Sequence, residues 1–305
     1  MNYDIIGDIH GHAEKLTALL AKLGYREQGG AWRQPEKTAI FVGDFVDRGR
    51  GQLATIDIVR RMVDCGSAQA VLGNHEFNAI AWYMPDPAKE GAHLRAHNPK
   101  NRHQHAAFLA EVEHDKARHR EVIDWFMTLP LWLETDGFRV IHACWHPGHM
   151  KALEPYLHQG RRLNPAVVEA ASRLDSMLFQ SIEALIKGPQ IRLPEGVFYF
   201  DEDGHKRRKV RTRWWDPDAT TYRTAALLSR AERERLPNDE IPASSQILYA
   251  NDKPLFIGHY WNSGAPAPLT PHIACVDYSV GNGGALVAYR WEGEPELKAE
   301  QFVAV

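Results

Sequence analysis

The sequence predicts an α/β protein: two packed β-sheets flanked by helices in four layers, α-β-β-α, with a helical and loop insertion. Three observations carry this. The first third alternates short apolar runs with amphipathic stretches in β-α-β-α-β-α order, the pattern of a largely parallel sheet with covering helices. The middle third breaks that rhythm with Pro, His and charged residues, and strand-like runs resume after it. The chain has 305 residues, 44% of them hydrophobic, which suffices for a sizeable core.

The elements follow in order. Residues 3–6 read as a buried strand, and 12–23 place Leu16, Leu19, Leu20 and Leu23 on one helical face. Residues 38–42 are the next strand and 52–63 the next helix, with Ile56, Val59 and Val63 inward. A third strand spans 68–72, and a third helix starts over 75–82. From 84 to 105, Pro85, Pro87 and Pro99 predict loops, and 104–127 reads as helical and charged. Residues 131–134 and 138–141 flank Asp136-Gly137, a hairpin signal. An amphipathic helix is predicted over 165–187. A second hairpin covers 198–213 and turns at Asp203-Gly204; a polar, Arg- and Glu-rich section follows to 242. The last strands are 255–257, 273–276, 285–291 and 297–303. The expected organisation is one domain over 1–305, with insertions around 84–120 and 150–242.

A formal charge of −3 argues against stable binding to nucleic acid through bulk charge. It leaves room for a small anionic substrate at a local metal or Arg cluster. Cys65, Cys144 and Cys275 are too widely spaced for a zinc or disulfide pattern, and read as buried thiols in a reducing compartment. The N-terminal residues have no signal-peptide pattern, and no segment has a membrane-spanning apolar run. The cytoplasm is the expected location; composition says nothing about oligomeric state.

Three motifs fall just after predicted parallel strands: Gly7-Asp8-Ile9-His10-Gly11, Gly43-Asp44-Phe45-Val46-Asp47-Arg48-Gly49 and Gly73-Asn74-His75-Glu76. In open α/β sheets, ligands bind in the crevice at the carboxyl ends of the strands. Asp, His and Asn together suit Mn²⁺, Fe or Zn²⁺. Asp44 could bridge two ions, which can activate a water and clamp a phosphoryl group. Ile141-His142-Ala143 and Ile257-Gly258-His259 each place an imidazole at a strand exit.

The ordered motifs resemble the phosphoprotein-phosphatase branch of the calcineurin-like metallophosphoesterases, whose bacterial members include diadenosine tetraphosphatases and Ser/Thr protein phosphatases. The ending from Asp277-Tyr278-Ser279 through Gly283-Gly284-Ala285-Leu286 to Tyr289-Arg290 is similar to that family's last strands. The resemblance implies two divalent cations, Mn²⁺ first and Fe or Zn²⁺ as alternatives. Asp8, His10 and Asp44 would hold one; Asp44, Asn74, His142 and His259 the other. His75 would be the general acid, Asp47 its orienting partner, and Arg48 a phosphate clamp. A second phosphate-binding Arg has no secure counterpart; Arg223 and Arg213 are the candidates. The implied reaction is in-line attack by a metal-bridged hydroxide. The first-choice substrate is a symmetric dinucleoside tetraphosphate, with a Ser/Thr phosphoprotein as the alternative. A metal-binding scaffold without catalysis is a third reading, disfavoured because every expected acid and ligand residue is present.

Blander readings stand beside these. Asp8 and Asp44 alone could be helix caps, and Asp47 with Arg48 a surface ion pair. His93, His97, His103, His105, His114 and His119 lack ligand spacing and read as a solvated, mobile insertion. His146 and His149 could line the pocket or face solvent. Lys206-Arg207-Arg208-Lys209 reads as a solvated hairpin rather than a contact for an extended anion. Trp125, Trp132, Trp214 and Trp215 read as core.

Overall fold

The computed structural model describes residues 2–200 and 204–305. Its first sheet has six strands. Along it lie Asp277–Tyr278, Ala285–Trp291, Asn2–Ile6, Lys37–Phe41 and Ala68–Ala70, with Phe302–Ala304 also paired to Ala285–Trp291. Asn2–Ile6, Lys37–Phe41 and Ala68–Ala70 run parallel, as the β-α-β order requires. The second sheet orders Ile273–Cys275, Leu255–Ile257, Arg139–Ile141 and Trp132–Glu134. Its first three strands are parallel, and the last two form the expected hairpin.

Residue alternation explains why two sheets stack. Ile5, Ile40, Val42, Val71, Tyr289 and Trp291 meet Phe138, Val140, Phe256, Ala274 and Val276 in one buried cluster. These sit at i, i+2 spacing, so each strand sends one face inward. The other faces carry Ile6, Ala39 and Phe41, or Ile141, Leu255, Ile257 and Ile273, into a larger cluster shared with the helices. Helices Ala13–Leu23 and Gln52–Asp64 supply Leu16, Leu19, Leu20, Ile56 and Val59 there; helix Met177–Lys187 supplies Ile182, Leu185 and Ile186. Each large side chain removed from water contributes roughly 1.5–3 kcal/mol. Among the described residues, no helix is long and apolar enough to cross a membrane.

Several segments differ from the sequence reading. Met62, not Val63, is fully buried on the second helix; Val63 is half-buried. The stretch 104–127 divides among helices Pro99–Gln104, Ala106–Val112 and Lys116–Phe126, because Asp115 caps a new start by accepting from the Arg118 amide. The helix expected over 165–187 is two, Pro165–Ala171 and Met177–Lys187. Asp175, at φ 68°, breaks it, and Ser176 caps the second piece. In the second hairpin Tyr199–Phe200 pairs with Lys206–Arg207, but Lys209–Arg211 pairs back with Gln190–Arg192. Asp203 of its expected turn lies outside the described residues. Before Phe302–Ala304 the chain makes a 3-10 turn at Ala299–Gln301, since Leu297 is held in the inter-sheet core.

Two further features escaped the periodicity. Arg26–Gln28 and Ala31–Arg33 form a hairpin over Gly29-Gly30, both at positive φ. Residues 191–241 build a small cluster of their own from Ile191, Leu193, Val210, Ala225, Ala226, Leu236 and Ile241. The three cysteines are free, with Cys144 and Cys275 buried.

Candidate metal centre

Because three strands of the first sheet are parallel, their carboxyl ends deliver Asp8, Asp44 and Asn74 to one edge. The second sheet delivers His142 and His259 to the same edge. The two sheets are tied there by His142, whose Nδ1 donates to the Val42 carbonyl at 2.7 Å. Its Nε2 lies 3.1 Å from Asn74 Oδ1 and 3.4 Å from Asp44 Oδ1.

The backbone is bent to bring these donors in. His10, Asp44, Asp47, Arg48 and His259 all have positive φ, at 49°, 54°, 73°, 73° and 71°. Such conformations cost about 1–3 kcal/mol each and concentrate at functional sites. Two glycines make the close approaches possible. A Cβ on Gly258 would stand 2.1 Å from Asp8 Oδ1, and one on Gly73 would stand 2.3 Å from Asp44 Oδ1.

Donor atoms converge in two groups: His10, Asp44 and His75; and Asp44, His142 and His259. Asp44 belongs to both. Its Oδ2 is 3.8 Å from the Nε2 of His10 and 3.8 Å from that of His75. Asp8 is in neither group; its Oδ2 accepts from the His259 amide at 3.1 Å, and its Oδ1 is buried without a hydrogen-bond partner among the described residues. The first group therefore counts His75 beside His10 and Asp44, while Asp8 faces the His259 amide.

The electrostatics favour a cation. His10 donates from Nδ1 to the Val46 carbonyl at 3.0 Å, which leaves the Nε2 lone pair bare and buried. Burial first, then His75, pushes His10 down to about 3, so it is neutral. His259 Nε2 is also buried without a partner among the described residues. Burial, then the Arg211 charge, holds His259 well below the usual imidazole range. Burial, then Asp277, pushes Asp8 up. Unpaired buried polar atoms of this kind cost about 1–3 kcal/mol each. Bare imidazole nitrogens beside crowded carboxylates are the donor set that a borderline divalent ion takes up.

His75 donates from Nδ1 to Asp47 Oδ2 at 2.5 Å. Burial disfavours its charged form, but Asp44 and Asp47 outweigh burial and raise its pKa. Arg48 is exposed at the rim; its guanidinium lies 4.3 Å over the Trp261 ring and donates to Asn282 Oδ1 at 3.1 Å. Neither of the other arginine candidates joins this cluster by hydrogen bond. Arg213 donates to the Thr224 carbonyl and Arg223 to that of Leu236, which ties both into their own section.

Four neighbours went unassigned in the sequence. Glu76, fully buried, accepts from the amides of Asp44, Phe45 and Gly73 at 2.8, 2.8 and 3.1 Å. It holds the Gly43-Asp44 turn in place, and is pushed up to about 7 by burial and then by Asp44. Its signal was an acid at the third helical position after Gly73. Gln52 accepts from the Asp47 amide and donates to the Gly49 carbonyl. Arg211, whose charge acts on His259, had no signal beyond the basic run. His105 corrects the solvated-insertion reading: it is 2% exposed and donates to Asp47 Oδ1 at 2.7 Å. His119 has a buried Nε2 and is packed as well, whereas His97, although stacked on Trp82, is exposed, as are His103 and His114. His149 pairs with Ser181 Oγ at 3.0 Å and its ring lies against His146. Trp125, Trp132 and Trp214 are core residues, and Trp215 is half-buried.

The fold and the site together are a two-sheet sandwich with Asp, Asn and His donors gathered at its strand ends. Residues 1–147 match the family model of the calcineurin-like phosphoesterases. An asymmetrical bis(5'-nucleosyl)-tetraphosphatase from Halalkalibacterium halodurans is 43% identical over 85 residues, 28% of this chain and 34% of that protein. The chain thus spans about a third of that relative's length. A symmetrical bis(5'-nucleosyl)-tetraphosphatase from Actinobacillus succinogenes is 24% identical over 304 residues, 96% of this chain and 94% of that protein. A solved protein serine/threonine phosphatase from Saccharomyces cerevisiae shares the fold. It superposes with a TM-score of 0.53 at 16% identity, over 100% of this chain and 79% of that one.

Proposed function

We propose that the protein hydrolyses phosphate esters or anhydrides with two divalent cations, Mn²⁺ first among them, and that its substrate is a dinucleoside tetraphosphate cleaved symmetrically. The observation that carries the reading is Asp44, one carboxylate common to two groups of converging donors. Asp8, His10 and Asp44 would hold one cation, and Asp44, Asn74, His142 and His259 the other. The pair would activate water and neutralise charge on the phosphoryl oxygens. His75 gives the leaving oxygen a proton from Nε2, while Asp47 holds its Nδ1 proton and sets the ring plane. Arg48 grips a phosphate through its planar fork, kept at the rim by Trp261.

Two things favour the nucleotide. The relatives above are named as tetraphosphatases. A cleft of about 730 Å³ is lined by Lys206, Arg208, Lys209 and Arg211, and Arg211 is the side chain whose charge reaches His259. A tetraphosphate is long and anionic enough to use both places.

A substrate panel at fixed Mn²⁺ tests this. Diadenosine tetraphosphate, a phosphothreonine peptide, an aryl monoester and a diester are compared, with products separated by chromatography. ADP is expected as the sole nucleotide product. ATP with AMP would mean asymmetric cleavage, and preference for the peptide would mean a phosphoprotein phosphatase. No Mn²⁺-dependent release from any substrate would leave a non-catalytic scaffold.

Cation uptake should expel protons. Burial opposes a charge on His142, but Asp44 and Asp8 outweigh it, and the imidazole is pushed up to about 10. Its proton is therefore held throughout neutral pH, whereas a metal ligand must be neutral. Affinity for Mn²⁺ should fall about tenfold per pH unit on acidification from 8 to 6. Calorimetry in two buffers of different ionisation heat reads the released proton; uptake that is independent of pH would remove His142 from the ligand set.

A further inference from the structure

We propose that His105 is a positioning residue, clamping Asp47 from the side opposite His75 so that the acid's carboxylate partner is locked between two imidazoles. The proposal rests on the hydrolase reading above.

The geometry is a three-member chain. His105 Nδ1 donates to Asp47 Oδ1 at 2.7 Å, and His75 Nδ1 donates to Asp47 Oδ2 at 2.5 Å. Both carboxylate oxygens are therefore taken. The terminal torsion of an Asp is broad, so a carboxylate bonded on one oxygen alone could turn and drag the His75 ring with it. Bonded on both, its plane is fixed. The backbone of Asp47 is fixed as well, by the Gln52 contact at 2.6 Å and by its positive φ.

His105 is itself held firmly. It stands at the junction of helices Pro99–Gln104 and Ala106–Val112. Its amide donates to the Asn101 and Arg102 carbonyls, and its carbonyl accepts from the Leu109 amide. The ring packs against Phe108, centroids 4.9 Å apart, and Trp82, 5.9 Å apart. Its Nε2 is buried with no hydrogen-bond partner among the described residues. Leaving that atom unpaired costs about 1–3 kcal/mol. A buried Leu would fill the same space without that cost, so packing alone does not account for an imidazole here. The bond to Asp47 does. The segment after the third motif thereby reaches the acid pair without touching substrate.

The test separates positioning from bulk structure through the leaving group. A general acid matters most when the leaving oxygen is basic. Mn²⁺-loaded wild type, His105→Leu and His105→Asn are compared on phenyl phosphate and para-nitrophenyl phosphate, with melting temperature and Mn²⁺ content recorded. For His105→Leu, kcat on phenyl phosphate should fall about tenfold more than kcat on para-nitrophenyl phosphate, with KM and Mn²⁺ content little changed. His105→Asn, which can offer an N–H near the Nδ1 position, should recover most of the loss. Equal losses on the two esters, no loss, or no recovery with Asn would overturn the role of His105. A wild type that hydrolyses neither ester and also leaves diadenosine tetraphosphate intact would sink the parent reading, and the role of His105 with it.

Discussion

Asp44→Asn should remove cation binding and hydrolysis together, with turnover falling by about 10³ or more, the scale expected when the main electrostatic stabiliser of the transition state is lost. The substitution is nearly isosteric. An Asn oxygen can still accept from the His75 amide, now bonded to Asp44 Oδ1 at 2.9 Å, so the turn survives. What goes is the negative charge, together with one of the two oxygens that face His10, His75 and His142. Since Asp44 belongs to both donor groups, one change strikes both sites. Elemental analysis of metal after dialysis, alongside kcat and a thermal melt, reads the result. A folded variant with full Mn²⁺ content and wild-type turnover would end the two-cation reading.

His75→Asn should give the opposite pattern: turnover down by about 10² or more on a substrate with a poor leaving group, and metal content intact. The structure makes this informative, because His75 falls within one donor group as well as beside Asp47. If His75 is the acid, its Nε2 proton is what matters, and a good leaving group should rescue much of the rate. Loss of one cation in the variant would instead make His75 a ligand and leave the acid to be found elsewhere.

Much of this arrangement is legible in the sequence because it is local. A strand, a glycine turn and a polar side chain are neighbours in the chain, so Gly7-Asp8, Gly43-Asp44, Gly73-Asn74, His142 and Gly258-His259 announce strand ends wherever the strands finally lie. The period of two in residues 3–6, 38–42 and 285–291 likewise fixes which face of each strand is apolar. Breaks were harder to read. Asp175 and Asp115 stop helices through one dihedral or one cap, which a count of apolar spacings passes over.

The sequence by itself determined the two-sheet sandwich and the strand-end positions of the candidate donors, since both follow from residue patterns a few positions long. Only the tertiary structure decided which side chains meet: that Asp44 is common to both donor groups, that Asp8 turns toward His259, that Arg213 and Arg223 are bonded elsewhere, and that His105 crosses 58 residues of chain to reach Asp47. The physical reason is range. Periodicity and turn chemistry act over a few bonds, whereas a hydrogen bond or a shared charge requires only that two atoms be close in space, and the packing of distant segments settles that.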